Sequence, residues 1–321
     1  MRVFEPNGTR PVLLALRTLG LGDLLVAVPA LHALRRAHPD HDLVLAAPGW
    51  LAPIIDLVEG WDEILPTPGL DELLPVPPGR VDVAVNLHGN GPESRALIDG
   101  LGARRKIVHR SEADPGHVEW LDGIHERRRW ARLVAEHESP ADPEEVAIRR
   151  PELPSAAPGA AVVHVGAAYG ARAWPVERFA LVAQQLLLDG YRVVVSGGPA
   201  DVARAGAVAE LADMPPEDVL AGRTDLTELA ALVADAAVVC TADTGAAHLA
   251  SAYGTPSVIV FGAAPVSEWG PPAGPHIALT DDRVRRGDVF AADPDPALLA
   301  VTAADVIRAA HAVVRQPTDR G

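Results

Sequence analysis

Asp243, Thr244, Gly245 and His248 are the residues of this chain whose types and spacing most directly suggest chemistry. Four residues separate Thr244 from His248, so on a helix both lie on one face, one turn apart. The stretch around them, Val238 to Trp269, reads as strand, loop, helix, strand, loop. Val238 to Thr241 is a short apolar run, and Thr244 is a candidate N-cap. The helix runs through Leu249 and Ala252 to a stop at Gly254. Ser257 to Phe261 is β-branched and apolar enough for a buried parallel strand. A helix N-terminus fed by a strand offers free amide hydrogens, and therefore a place for an anion. A second turn of this kind comes early, where Gly20 and Gly22 precede Asp23. A carboxylate there reads either as a helix cap or as a general base.

These residues need elements to hold them, and the chain supplies a repeating pattern. Val12 to Leu16 is an apolar strand, and Asp23 to Ala37 an amphipathic helix with Leu24, Val28, Leu31 and Leu34 inward. Leu43 to Ala46 is a strand and Leu51 to Val58 a short helix; Val81 to Leu87 is a strand ending at His88-Gly89-Asn90. A charged helix is expected over Glu119 to His137, then a proline-rich, acidic linker from Glu138 to Gly159. The pattern restarts at Ala161: strand to Val165, loop, helix from Val176 to Asp189, strand from Arg192 to Ser196, then Gly197-Gly198-Pro199. Helices over Asp201 to Ala212 and Leu226 to Ala234 follow, with a last one over about 303–316. Strands alternating with helices predict α/β architecture in two Rossmann-like, doubly wound domains, residues 1–155 and 156–321. The expectation is that their loop-bearing edges face each other across a cleft, and that the last helix is able to pack back on the first domain.

Composition narrows the function. Hydrophobic residues make up 48% of the 321, and no uninterrupted apolar run is long enough to span a membrane. The net charge is −15, and residues 1–150 carry 17 basic and 23 acidic side chains, so neither half resembles a nucleic-acid binder. Lys106 is the only lysine; a phosphate group must be met by arginine or histidine. Cys240 is the only cysteine, which excludes an internal disulfide and fits a reducing cytoplasm. After Gly20 and Gly22, the third glycine of a dinucleotide fingerprint would fall on Leu25, so that motif fails. The two D-x-D triplets, Asp40/Asp42 and Asp293/Asp295, read as turn chemistry, and no catalytic metal or cofactor is expected.

Five stretches together resemble the GT-B glycosyltransferases, specifically the heptosyltransferase-like family 9. They are LRTLGLGDLLVAVPALHALRRAHPD at 16–40, VNLHGN at 85–90, GARAWPVERFA at 170–180, SGGPAD at 196–201 and TADTGAAHLASAYGTPSVIVFG at 241–262. The resemblance implies an inverting, metal-independent transfer of a heptose-like sugar from a nucleotide diphosphate donor, such as ADP-heptose, to an acceptor hydroxyl. Asp23 matches the family's catalytic aspartate and would be the general base. Thr244, Gly245 and His248 would hold the diphosphate, with Asp243 near the sugar, Asp201 at the ribose and Thr224 near the base. Arg172 stands where the family pattern usually has lysine, and would chelate phosphate oxygens. Gly22, His88, Asn90, Arg104 and Arg105, with Lys106, would line the acceptor side, toward a glycan or glycolipid. A monomer in the cytoplasm is expected, with the inner membrane face as a place of action. The alternative is a GT-B protein that binds or epimerises a nucleotide sugar without transferring it.

Overall fold

Strand-forming runs of β-branched and aliphatic residues build two all-parallel sheets, one in each of two units, Met1–Arg149 and Arg150 onward. The computed structural model describes residues 1–315. The division falls a few residues before the expected boundary at 155.

In the first unit the strands are β1 (Arg2–Val3), β2 (Val12–Leu16), β3 (Asp42–Ala47), β4 (Glu63–Pro66), β5 (Val83–Asn86) and β6 (Arg105–Ile107). They are ordered β1-β4-β3-β2-β5-β6, and every pairing is parallel. The helices are α1 (Leu21–Ala37), α2 (Ala52–Ile55), α3 (Pro92–Gly100) and α4 (Glu126–Ala135). All five residues of β2 are buried, as a strand covered on both faces requires. The helix expected over 119–137 starts only at Glu126, because His125 caps it by accepting the Arg127 N–H at 3.2 Å. Upstream, the Trp120 indole N–H donates to Asp122 at 3.0 Å and holds a turn instead.

The second unit contains β7 (Ala161–His164), β8 (Val193–Ser196), β9 (Val238–Ala242), β10 (Ser257–Val260) and β11 (His276–Leu279), ordered β11-β10-β9-β7-β8. Its helices are α5 (Val176–Leu188), α6 (Val202–Leu211), α7 (Leu226–Ala234), α8 (Gly245–Tyr253), α9 (Val266–Trp269), α10 (Pro296–Ala300) and α11 (Ala303–Val314). Parallel strands point their C-terminal ends to one edge, so the loops after β7, β8, β9 and β10 share it. The helix expected to return to the first domain is α11; residue 316 lies outside the described residues. Val306, Ala310 and Val313 of α11 are buried in the second unit's own core with Phe179 and Leu186 of α5, so its apolar face is used there. Cys240 lies in the same core, and burial pushes its thiol up to about 12, which leaves it inert. No helix among the described residues is long and apolar enough to cross a membrane.

One glycine is required by close approach. Gly170 packs on the segment before α10, where a Cβ would stand 1.6 Å from the Ala292 carbonyl oxygen. Gly170→Ala must therefore displace backbone two residues before Arg172. The expected result is a loss of about 1–3 kcal/mol, read as a lower Tm, with weaker nucleoside diphosphate binding. An unchanged Tm would show that the segment yields freely.

Candidate functional site

The first unit brings Asp23 to the C-terminal edge of its sheet. β2 ends at Leu16, and Gly20 takes an extended conformation as N-cap of α1, placing Gly22 and Asp23 in the first turn. Asp23 is not the N-cap, which is Gly20; it is the third helical residue, and its carboxylate reaches back to accept the Gly20 N–H at 3.3 Å. Its side chain nevertheless remains about one-third exposed, and its other oxygen lies 3.6 Å from an Arg17 nitrogen.

Arg17, the residue directly after β2, is one that sequence reasoning passed over. It is 1% exposed, donates to the Asp23 carbonyl at 2.9 Å and to the Leu87 carbonyl, and its guanidinium sits 4.7 Å over the Trp130 ring. Burial lowers its pKa, while the charges of Asp23 and Glu126 oppose the shift. His88 follows β5 on the same edge, and its loop is braced by the Asn86 side chain, whose Oδ1 accepts the His88 N–H at 3.1 Å. Burial, and secondly the Arg17 charge, hold His88 below the ordinary histidine range. It is therefore a neutral hydrogen-bonding group beside a carboxylate.

Other expected acceptor residues are placed differently. Asn90 is engaged by Arg95 and donates to the Arg110 carbonyl at 3.3 Å, so its amide serves the loop. Arg105 opens β6 in register with Val83, which pairs with Leu13 near the start of β2. Arg104 and Arg105 thus lie at the opposite end of the sheet from Asp23, about 10 Å along the strands. Arg104 pairs with Asp82 at 3.5 Å, Arg105 with Glu138 at 2.6 Å and Lys106 with Asp99 and Asp114 at 2.8 Å. Register between distant strands decides this placement, and a charged three-residue strand carries no periodic signal of it.

The second unit gathers most of the expected donor group. β9 delivers Asp243, which is 3% exposed and whose N–H donates to the Val260 carbonyl at 3.0 Å. Thr244 is the N-cap of α8, but its hydroxyl meets Thr241 Oγ1 at 3.1 Å, and no side chain caps the helix. Gly245 begins α8 and His248 follows one turn on, with Nε2 3.9 Å from one Asp243 oxygen. Arg172, on the turn after β7, places Nε 3.7 Å from the other. The buried carboxylate thus fixes a cation and an imidazole beside an uncapped helix N-terminus, an arrangement suited to a polyanion.

Asp201 and Thr224 come from other loops of the same unit. The Asp201 carboxylate accepts the Gly198 N–H at 2.8 Å, so part of its capacity goes to the turn after β8. Thr224 is half-buried two residues past Gly222, whose N–H donates to the Gly197 carbonyl at 3.1 Å and joins the two loops. Asp295 confirms the turn reading of its D-x-D: fully buried, it accepts N–H bonds from Arg286, Gly287 and Ala297. Asp42 of the other triplet pairs with Arg10 at 3.1 Å.

Each unit also buries a neutral histidine. His164, at the end of β7, bonds Ser196 Oγ at 3.0 Å, and burial pushes its pKa to about 4 against the opposing charge of Asp201. Burial brings His109 of the first unit to about 4 as well. The unfolded chain takes up these protons near pH 6.5 and the folded one does not until about 4. Stability is therefore full above 6.5 and falls as the pH drops through that window, by up to about tenfold in the unfolding constant per pH unit for each histidine. Denaturant titrations between pH 7 and 4 should show this slope, shallower in His164→Gln; an unchanged slope in that variant would show that His164 is not held neutral.

Residues 132–283 match the sequence model of glycosyltransferase family 9 (heptosyltransferase). The chain is similar to lipopolysaccharide heptosyltransferase 3 of Escherichia coli, 34% identical over 102 residues, covering 31% of this chain and 30% of that protein. It is also similar to lipooligosaccharide heptosyltransferase 2 of Haemophilus influenzae, 33% identical over 104 residues, covering 30% and 29%. The aligned stretch spans about a third of these curated relatives. Among solved structures, ADP-heptose lps heptosyltransferase II of Escherichia coli superposes with a TM-score of 0.74 at 19% identity, covering 94% of this chain and 98% of that one. A family 9 glycosyl transferase from Veillonella parvula gives 0.75 at 20%, covering 95% and 97%. These likenesses show a GT-B fold.

Proposed function

We infer that this chain, a heptosyltransferase-like protein of glycosyltransferase family 9, moves a heptose-like sugar from a nucleoside diphosphate to an acceptor hydroxyl with inversion and without a metal. The observation that carries the reading is the grouping of Arg172, Asp243 and His248 at the uncapped N-terminus of α8. A helix N-terminus contributes about 0.3–2 kcal/mol toward an anion, too little for a nucleotide sugar. The bidentate cation Arg172 supplies the remainder.

The step balances as a single displacement. An Asp23 oxygen takes the acceptor hydroxyl proton while the hydroxyl oxygen bonds to the anomeric carbon. The bond from that carbon to the diphosphate breaks, and its electron pair leaves on the phosphate oxygen. Arg172, the His248 N–H and the first amides of α8 stabilise that charge as it develops. Attack opposite to the leaving group inverts the anomeric centre, and Asp23 returns its proton to water. Neutral His88 orients the attacking hydroxyl. Asp201 and Thr224 contact the nucleoside, the protein acts as a cytoplasmic monomer, and the acceptor is a glycan or glycolipid, with the inner membrane face open to it.

Thermal unfolding with ADP-, UDP-, GDP- and dTDP-sugars tests the donor half, because a ligand that binds only the native state raises Tm with concentration. An ADP-sugar is expected to give the largest rise. No rise with any of the four would contradict the assignment.

A further inference from the structure

One concavity of the first unit plays no part in the donor chemistry. The segment after β4 encloses about 310 Å³, lined by Pro66, Pro68, Leu74 and Pro75 together with Asp71 and Glu72. No arginine, lysine or histidine lines it among the described residues. Thr67, also on its wall, accepts a 2.6 Å bond from Thr18 Oγ1, which ties the concavity to the loop that leads to Asp23. The Thr67 N–H donates to the Ala47 carbonyl at 2.8 Å, and three residues beyond Ala47 stands Trp50. The turn that carries Trp50 lies against Pro66, since a Cβ on Gly49 would be 3.6 Å from the Pro66 side chain.

Trp50 is 56% exposed, whereas Trp61, Trp130 and Trp174 are buried to 1% or less. Leu73, at the rim of the concavity, is 76% exposed. An exposed leucine alone means little, but an exposed indole on a turn that packs against Pro66, one of the lining residues, offers a flat apolar face with little entropy to lose on binding. The lining of the concavity is one-sided in charge: Asp71 and Glu72 face it, and Arg17 on the neighbouring loop is paired with Asp23.

We propose that Trp50 and this concavity form the acceptor subsite, and that the acceptor it takes is an uncharged glycoside with an apolar face or aglycone, not a phosphorylated or carboxylated glycan. The proposal rests on Asp23 as the base, because it assigns the acceptor to the edge where Asp23 lies. One pyranose face stacks on the indole, the aglycone enters the proline-lined concavity, and Asp71 and Glu72 accept hydroxyl hydrogens while repelling phosphate.

The test is calorimetric titration of the full chain, with saturating ADP, by phenyl β-D-glucopyranoside, -galactopyranoside and -mannopyranoside and by their 6-phosphates. At least one neutral glycoside should bind ten or more times tighter than its 6-phosphate. Trp50→Ala should weaken that glycoside at least tenfold with ADP affinity unchanged. The double variant Asp71→Lys/Glu72→Lys should strengthen the 6-phosphate at least tenfold and reverse its ranking against the neutral glycoside, a readout independent of whether Trp50→Ala folds. Equal or tighter binding of the 6-phosphates, no saturable binding of any neutral glycoside, or an indifferent Trp50→Ala would overturn the proposal. Failure of ADP itself to bind the wild type would instead count against the donor reading.

Discussion

Asp23→Asn is expected to lower the rate of sugar transfer by roughly 10²–10⁴-fold while nucleoside diphosphate affinity stays within about twofold. The amide matches the carboxylate in size, and its oxygen still accepts the Gly20 N–H. It cannot take a proton from an attacking hydroxyl. The variant also removes the charge 3.6 Å from Arg17, whose guanidinium is buried and retains the carbonyls of Asp23 and Leu87. A small fall in Tm is therefore expected as well, and rates should be compared well below it. Donor affinity should be spared, because Arg172, His248 and the α8 amides belong to the other unit. Equal transfer rates in variant and wild type would leave Asp23 only its bond to the Gly20 N–H at the start of α1.

Arg172→Ala carries the second large effect. A charge-assisted hydrogen bond contributes about 1.5–3 kcal/mol, so the Kd for the nucleoside diphosphate should rise roughly 10–100-fold. The bare nucleoside should bind nearly as before. The loss should exceed that of a simple truncation, because Asp243 is buried and loses the cation beside it. Arg172→Lys should recover part of the affinity as a point charge, but not the two-pronged contact. Equal losses for nucleoside and diphosphate would remove Arg172 from the phosphate position.

The local parts of this account were legible in the sequence, and the long-range parts were not. Val12–Leu16 is the strand expected, Thr244 is the N-cap expected, and Gly254 ends α8 with a φ of 63°. Each depends on neighbours within a few residues. Asp243 and His248 were expected together because they flank one strand-to-helix turn, whereas Arg172, about seventy residues earlier, was joined to them only through the resemblance to family 9. Arg17 was missed because nothing in sequence distinguishes a buried cation stacked on Trp130, more than a hundred residues away, from a polar break in a strand. Arg104 and Arg105 were expected near the acceptor, yet register sets them at the far end of the sheet. β4, β6 and β11, unlike the equally short but wholly buried β7, β8 and β10, include charged or half-exposed positions and carry too little pattern to be seen. The packing of Gly170 against Ala292 likewise joins segments that no local rule connects.

The most direct test of the central claim is a proton NMR time course of the anomeric signal with an ADP-heptose donor and a neutral phenyl glycoside acceptor. The wild type should form a product of inverted anomeric configuration, one for one with released ADP, and Asp23→Asn should form it at least a hundredfold more slowly. Retained configuration, epimerised donor without transfer, or an unslowed Asp23→Asn would contradict the claim.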